Sequence, residues 1–286
     1  MLFQSLLVGG FLHGAVLALA ALGFAIIFAT ANELHFAYGN TVVVAGYLLY
    51  TLTTDTALPL AAAVVVVIFA CGLLGAAIRL LLYRYAGGHQ AVLLVSFGLA
   101  IIMENAVQAI YGAYDKTVSP GGLGDNVRII GTQVTERWID LLGLAVLLVV
   151  WPLTVLALRR THMGLGLTAT MRDPEMAALS GVRPERMKVV AYVAGSMLAA
   201  VVGMLNTLGS GINPGSGLEY LLLAFIAALL AREKIGQIPV WGLLIGIGLS
   251  LSAWKLPSQY QTLTTYGVVL VLLVIRMRRQ PRVALA

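Results

Sequence analysis

Residues 1–32 read MLFQSLLVGGFLHGAVLALAALGFAIIFATAN, with no Asp, Glu, Lys or Arg among them. A transmembrane helix needs about 20 mostly apolar residues, so this run is long enough to cross a bilayer. Working outward, the pattern repeats: stretches free of formal charge cover 34–54, 56–78, 85–103, 141–158, 189–218, 220–231, 235–254 and 256–275. That makes eight or nine spans, according to whether the short run 220–231 is counted as crossing. The first run has no basic n-region and no small-residue cleavage site leading into a soluble domain, so it is not read as a removable signal peptide.

Composition agrees. Of 286 residues, 60% are hydrophobic and only 10% charged, with a mean hydropathy of +0.94. A soluble domain carries about 25% charged residues, and a disordered chain is more polar still. The net charge of +6 is spread between the apolar runs and not gathered in one stripe, which argues against nucleic acid as a partner. The single cysteine, Cys71, permits no intrachain disulfide and no cysteine metal cluster. A β-barrel would alternate in segments of about ten residues; the runs here are continuous. The sequence therefore predicts an all-α integral membrane protein, a polytopic bundle forming one transmembrane domain over 1–286.

Cytoplasmic loops carry an excess of Lys and Arg. Loop 159–188 holds Arg159, Arg160, Arg172, Arg183, Arg186 and Lys188, and is placed inside with Arg79, Arg84 and the tail Arg276, Arg278, Arg279 and Arg282. Loop 113–137 then lies outside. Alternation puts Arg232 and Lys234 inside, so fourteen of the eighteen basic residues are cytoplasmic; Lys116, Arg128, Arg137 and Lys255 are the exceptions. The C-terminus is cytoplasmic, and the N-terminus is external if 1–30 and 38–54 both cross fully.

Two interruptions fall inside apolar sequence. One is Asn32-Glu33-Leu34-His35-Phe36-Ala37-Tyr38-Gly39-Asn40; the other is Arg232-Glu233-Lys234-Ile235-Gly236-Gln237-Ile238-Pro239. Broken helices are tolerated at membrane depth only where protein buries them or a wet cavity hydrates them. Such breaks in both halves of a transporter point to the translocation path. Asn32, His35, Tyr38, Gly39, Asn40 and Gln237 are therefore expected beside the solute. Glu104, with Asn105, lies within a helix of about 90–112, and an ionisable residue at depth is a functional candidate. Interfacial turns and a helix–helix hydrogen bond are the plainer readings of the same residues. His13 is read as a packing residue, and the pairs Gly10/Gly14 and Gly242/Gly246 as sites of close helix approach.

Within loop 159–188 the spacing predicts a short helix over 174–180. Asp173 is its N-cap, Pro174 its first residue, Glu175 lies in its first turn and Gly181 ends it. A capped helix held between spans can transmit force from a soluble partner. Met176, Ala177, Ala178 and Leu179 are expected as the packed face, with Arg172 supplying charge at its edge.

These residues together resemble the inner-membrane permeases of the branched-chain amino acid ATP-binding cassette (ABC) importer family. Gly23-Phe24-Ala25-Ile26-Ile27-Phe28 followed by Leu34-His35-Phe36-Ala37-Tyr38-Gly39 is similar to that family's Gly-aromatic run and Asn-Phe-Ala-His-Gly. Ser96-Phe97-Gly98, Glu104-Asn105 and Tyr111-Gly112 resemble its fourth span, Arg172 with Ala177, Ala178 and Gly181-Val182 its ATPase-coupling loop, and Asn213-Pro214 and Ile235–Pro239 its later breaks. The match runs in order along nearly the whole chain. His35 stands where the family usually has Asn, Tyr38 where it has His, and Leu230–Pro239 replaces a glycine-rich turn. These departures fall where cargo would pass.

The resemblance implies a permease subunit that hydrolyses nothing itself. It implies a second related permease, two separate ATPase subunits carrying ATP and Mg, and a periplasmic or extracellular solute-binding protein. No Gly-x4-Gly-Lys-Ser/Thr sequence occurs in this chain, and no cofactor or metal site is expected. The implied cargo is a branched-chain or related amino acid, with urea, short amides and aromatic acids as alternatives within similar permeases. A proton-coupled secondary transporter using Glu104 or His35 is the competing mechanism. A membrane enzyme finds no His or Asp pair at acid/base or metal spacing.

Overall fold

Lipid offers the backbone no hydrogen-bond partner, so apolar runs must satisfy their own N–H and C=O groups as helices. The computed structural model describes residues 2–119, 121–128, 135–231, 235–255 and the single positions 267 and 271. Its helices are α1 (Leu2–Ala31), α2 (Ala37–Tyr50), α3 (Leu60–Ala77), α4 (His89–Tyr111), α5 (Trp138–Arg160), α6 (His162–Arg172), α7 (Pro174–Leu179), α8 (Pro184–Gly209), α9 (Gly217–Leu230) and α10 (Ile238–Lys255).

Among the described residues, six segments are long and apolar enough to cross a membrane: Phe3–Ala31, Leu60–Tyr85, His89–Tyr111, Trp138–Arg160, Pro184–Gly209 and Ile235–Ser252. The two short helices are α2, which a π-helical turn at Thr51–Asp55 prolongs, and α9. Together they agree with the expected bundle of eight to nine. Apart from positions 267 and 271, the run 256–275 lies outside the described residues, as do the charged residues 232–234 of the second break.

The architecture is arranged around α1. Its apolar window is 78% buried, against 11% for α5, so α1 is the centre and α5 the rim. A helix that is apolar all round belongs in such a centre. α1 packs on α10, α8, α9 and α5. The small-residue pairs noted in the sequence are each other's partners: a Cβ on Gly14 would lie 2.8 Å from the Leu243 backbone, and one on Gly10 2.6 Å from Ser250 Cβ. Backbones approach closely there because no side chain intervenes. Ser250 Oγ donates to the Leu6 carbonyl at 2.7 Å in the same seam.

Loop 113–137 departs from the all-α expectation at one small feature, the antiparallel hairpin of β1 (Asn126–Arg128) and β2 (Thr135–Arg137). Loop 159–188 holds an element the sequence did not announce, α6, in addition to α7. Thr161 caps α6 by accepting from the Gly164 N–H at 2.9 Å. Leu167 of α6 packs with Ile26 and Ala191 against Leu158, Met171 and Met187, which ties the elbow to α1, α5 and α8.

The bundle has two distinct ends. Gly9 of α1 lies near Glu136 of the hairpin, and Arg137 donates to the Gly209 carbonyl at 2.6 Å. The start of α1, the hairpin and the end of α8 thus share one end. At the other, Arg79 joins Glu33 and Glu185, beside α6 and α7. The chain start and the basic loop therefore lie at opposite ends, as expected if both first spans cross.

Candidate functional site

The first break begins at Asn32, which takes φ 53° and donates its N–H to the Phe28 carbonyl at 2.8 Å. Asn tolerates this left-handed position because its short amide clashes little. Ser96 of α4 satisfies the backbone that follows: its Oγ accepts from the Phe36 N–H at 3.2 Å and lies 3.2 Å from the Leu34 carbonyl. Helix α2 then starts at Ala37, so Tyr38, Gly39 and Asn40 sit in its first turn and not in the loop.

The expected pathway residues separate into two groups. His35 and Tyr38 are fully enclosed. His35 Nδ1 lies 2.8 Å from the Tyr83 hydroxyl, and its ring packs against Tyr83 and Tyr192. Tyr38 donates to the Ala20 carbonyl at 2.7 Å and meets Phe24 edge-on. Both brace the break from within. Asn40, by contrast, reaches across to α4, where its Nδ2 donates to the Ala100 carbonyl. One turn further along α4, Glu104 is half-buried and faces Gly215.

A third broken helix joins them. α8 ends at Gly209, the chain turns through Asn213, Pro214 and Gly215, and α9 begins at Gly217. Asn213 accepts from the Gly215 N–H at 2.8 Å and donates to Asp115 at 2.6 Å, holding that turn. Gly217 lies directly on α2: a Cβ on Gly39 would overlap the Gly217 carbonyl, and one on Gly217 would overlap the Asn40 amide. The starts of α2 and α9 thus meet beside the middle of α4. There α4 carries half-buried Glu104, turned to the Gly215 turn, and exposed Asn105 and Gln108, among exposed Phe97, Ile101 and Ile102. A polar strip in an apolar face is costly against lipid and suited to a wet or protein-covered surface. Gln237 is elsewhere: it is exposed on a 3-10 turn that packs on α10, α1 and α5.

Sequence reasoning missed three members. Gln108 follows Glu104 at i+4, a spacing that puts both on one helix face. Glu33 stood inside the quoted break and Arg79 was read only as a marker of sidedness. In the structure Arg79 meets Glu33 Oε2 at 3.1 Å and Glu185 Oε2 at 2.6 Å, and Tyr192 donates to Glu33 at 3.3 Å. Arg79 and Glu33 are both buried, so this pair anchors the break to the starts of α8 and the end of α3.

The α7 elbow forms as its caps dictate. Asp173 Oδ1 accepts from the Glu175 and Met176 N–H groups at 2.9 and 3.0 Å. Gly181 takes φ 84°; its N–H reaches Ala178 O and that of Val182 reaches Ala177 O, both at 3.0 Å. This is a Schellman ending, which needs the left-handed residue that glycine supplies. Arg172, Glu175, Met176, Ala178 and Leu179 are exposed, Leu179 at 83%. Ala177 is the exception to the expected face: it is 3% exposed and turned into the chain's own bundle. A helix of this length shows a partner only about half its circumference.

At the hairpin end a cavity of about 580 Å³ opens between α1, α5, α8, α9 and α10. His13, Arg137, Asp140, Asn206 and Tyr220 give it a few polar groups over apolar walls. Arg137 Nε meets Asp140 at 3.1 Å. The nearby Glu136 carboxyl is raised above its ordinary value, first by burial and then by the Asp140 charge. Among the described residues no three His, Cys, Asp or Glu side chains group to hold a metal.

The family described as "Branched-chain amino acid transport system / permease component" matches residues 6–277. The chain is 28% identical over 287 residues to the high-affinity branched-chain amino acid transport system permease protein BraD of Pseudomonas aeruginosa, covering 94% of this chain and 92% of BraD. It is 27% identical over 291 residues to the corresponding permease protein LivH of Escherichia coli, covering 96% and 93%. A probable LivH of Methanocaldococcus jannaschii is 24% identical over 95% of this chain and 88% of its own. Among solved structures, a chain of PsaBC from Streptococcus pneumoniae in complex with Fab superposes with a TM-score of 0.53 at 11% identity, over 92% of this chain and 89% of that one. That likeness concerns the fold alone.

Proposed function

Because this chain belongs to the family of permease components of branched-chain amino acid transport systems, we propose that it is the permease subunit of an ABC importer for a branched-chain or closely related amino acid. The observation that carries the reading is the meeting of α2, α4 and α9. Two helix starts, Asn40 and Gly217, converge beside a polar strip of half-buried Glu104 and exposed Asn105 and Gln108. In this reading the strip faces a second related permease, and the solute passes between the two. Solute delivered by a binding protein needs no tight site in the permease, which suits a polar strip better than a closed pocket.

The α7 elbow is read as the coupling element. Met176, Ala178 and Leu179 dock on one of two ATPase subunits, which hold ATP and Mg and perform the hydrolysis. The positive-inside excess places this end in the cytoplasm, along with the C-terminus, and the hairpin end outside. The membrane is the bacterial inner membrane, and Lys116, Arg128 and Arg137 lie on the side from which the binding protein delivers. The proton-coupled alternative loses one of its groups, since His35 is sealed among Tyr83 and Tyr192.

The test is uptake of labelled leucine by proteoliposomes holding this chain, its partner permease and both ATPases, fed by the binding protein. Uptake is expected to need ATP, to fall with unlabelled valine, and to fall sharply in the double variant Glu104→Gln, Gln108→Leu. Unaltered uptake in that variant would move the path off α4. Competition by urea or an aromatic acid, but not by valine, would replace the cargo. Uptake driven by a proton gradient alone would replace the mechanism.

A further inference from the structure

A second cleft, of about 520 Å³, lies at the α7 end between the end of α3, the start of α4 and the start of α8. Its charged lining is Arg79, Arg84, Arg186 and Lys188 against Glu33 and Glu185, with His89 at one edge. The two carboxylates are already engaged: Arg79 bridges Glu33 and Glu185, and Lys188 meets Glu185 at 2.9 Å. Arg84 and Arg186 are exposed and pair with no carboxylate among the described residues. The cleft therefore keeps two positive charges in excess, both on guanidinium groups, whose fork geometry suits phosphate oxygens.

Two further features favour an anion. α4 starts after Gly88 and α8 after Arg183, and neither N-terminus has a side-chain cap. The positive ends of both helix dipoles thus border the cleft. The surface beside it in the chain is apolar: Leu81, three residues before Arg84, is 68% exposed, and Leu94, five residues after His89, is 71% exposed. Basic pockets between spans at the membrane surface suit anionic headgroups, and the leucine shoulder suits the acyl chains beneath.

We propose that this cleft is a binding site for the phosphodiester of an anionic glycerophospholipid, held by Arg84 and Arg186 with its acyl chains along Leu81 and Leu94. A freely diffusing phosphate would use the same guanidinium groups and gain nothing from the apolar shoulder. The Arg79 bridge keeps Glu33 and Glu185 from repelling the ligand.

The experiment is native mass spectrometry of the full complex released from detergent, titrated with phosphatidylglycerol or phosphatidylcholine. Phosphatidylglycerol is expected to stay bound in preference to phosphatidylcholine. Arg84→Gln with Arg186→Gln should weaken that adduct by about thirtyfold, taking a contribution of roughly fivefold per basic residue near the surface. Arg84→Lys with Arg186→Lys should keep most of it, and the intact complex mass in each spectrum reports folding. Equal retention of both lipids, or of phosphatidylglycerol by the Gln variant, would overturn the site. Displacement by millimolar inorganic phosphate would overturn the lipid as its ligand.

Discussion

At residues 32–36 the chain leaves α1, and at residue 173 it leaves α6; each interruption brings carboxylates and a left-handed residue, Asn32 at φ 53° and Gly181 at φ 84°. The two part ways in what their side chains touch. Around the first, Glu33, His35, Tyr38 and Asn40 are at most 7% exposed, and each contacts a residue from another helix. Around the second, Glu175, Met176, Ala178 and Leu179 are exposed, and the hydrogen bonds stay within the elbow's own backbone and caps. The difference follows from surroundings. A polar group enclosed by packed helices must find its partner inside the chain, so the first interruption becomes a brace. An elbow beyond the bundle meets its backbone needs locally, and its side chains remain for a partner.

The sharpest way to break this comparison is to remove the brace. Arg79→Ala leaves Glu33 buried without its cation, a change that costs about 3–5 kcal/mol when a buried pair is halved. Thermal unfolding of the purified chain should show it, while Arg172→Ala at the elbow should stay within about 0.5 kcal/mol. Equal shifts in the two variants would mean that the break is not braced by this pair.

Next in size is the contact where α2 meets α9. Gly39→Ala sets a Cβ against the Gly217 backbone, which cannot rotate aside. Overpacking of this kind costs about 1–3 kcal/mol, and uptake should fall with stability because the two helix starts are pushed apart. An alanine variant with unaltered melting and transport would show that the two starts separate freely.

The smallest effect on stability, and the most selective on function, belongs to the elbow. Ala178→Glu adds a charge to an exposed position and should shift melting by no more than about 0.5 kcal/mol. If α7 docks on an ATPase subunit, the same change places an unpaired charge in a packed contact. Transport and solute-stimulated ATP hydrolysis should then be lost together while the chain still melts normally. Normal transport with the ATPase bound would leave α7 as a connector only.

The spans, the caps of α7 and the two glycine pairs were legible because each depends on near neighbours in sequence; that the pairs pack against each other was shown only by the fold. Asp173 caps residues two and three positions ahead of it, and Gly181 ends the turn it sits in. The element α6 was not legible, since Gly164 and Gly166 lower its intrinsic helix preference. It stands on Thr161 and on the packing of Leu167 against Ile26 and Ala191, contacts distant in the chain.

Polarity in an apolar run marked 32–40 and Glu104 as candidates. Their directions could not be read, because a polar residue looks the same in sequence whether it braces or lines a path. The tertiary structure decided that His35 turns to Tyr83 and Tyr192, that Tyr38 reaches back to Ala20, that Glu104 sits half-buried beside Gly215, and that Gln108 is exposed. Ala177 was assigned to the exposed face of α7 and turned inward for the same reason. The sequence by itself determined an eight- to nine-span membrane bundle with a capped elbow, since hydrophobic run length and cap chemistry are local quantities. Only the tertiary structure decided which polar groups are spent on holding the bundle and which remain free to act. Those partners lie 18 to 159 residues away along the chain, and only the packed helices bring them within hydrogen-bond reach.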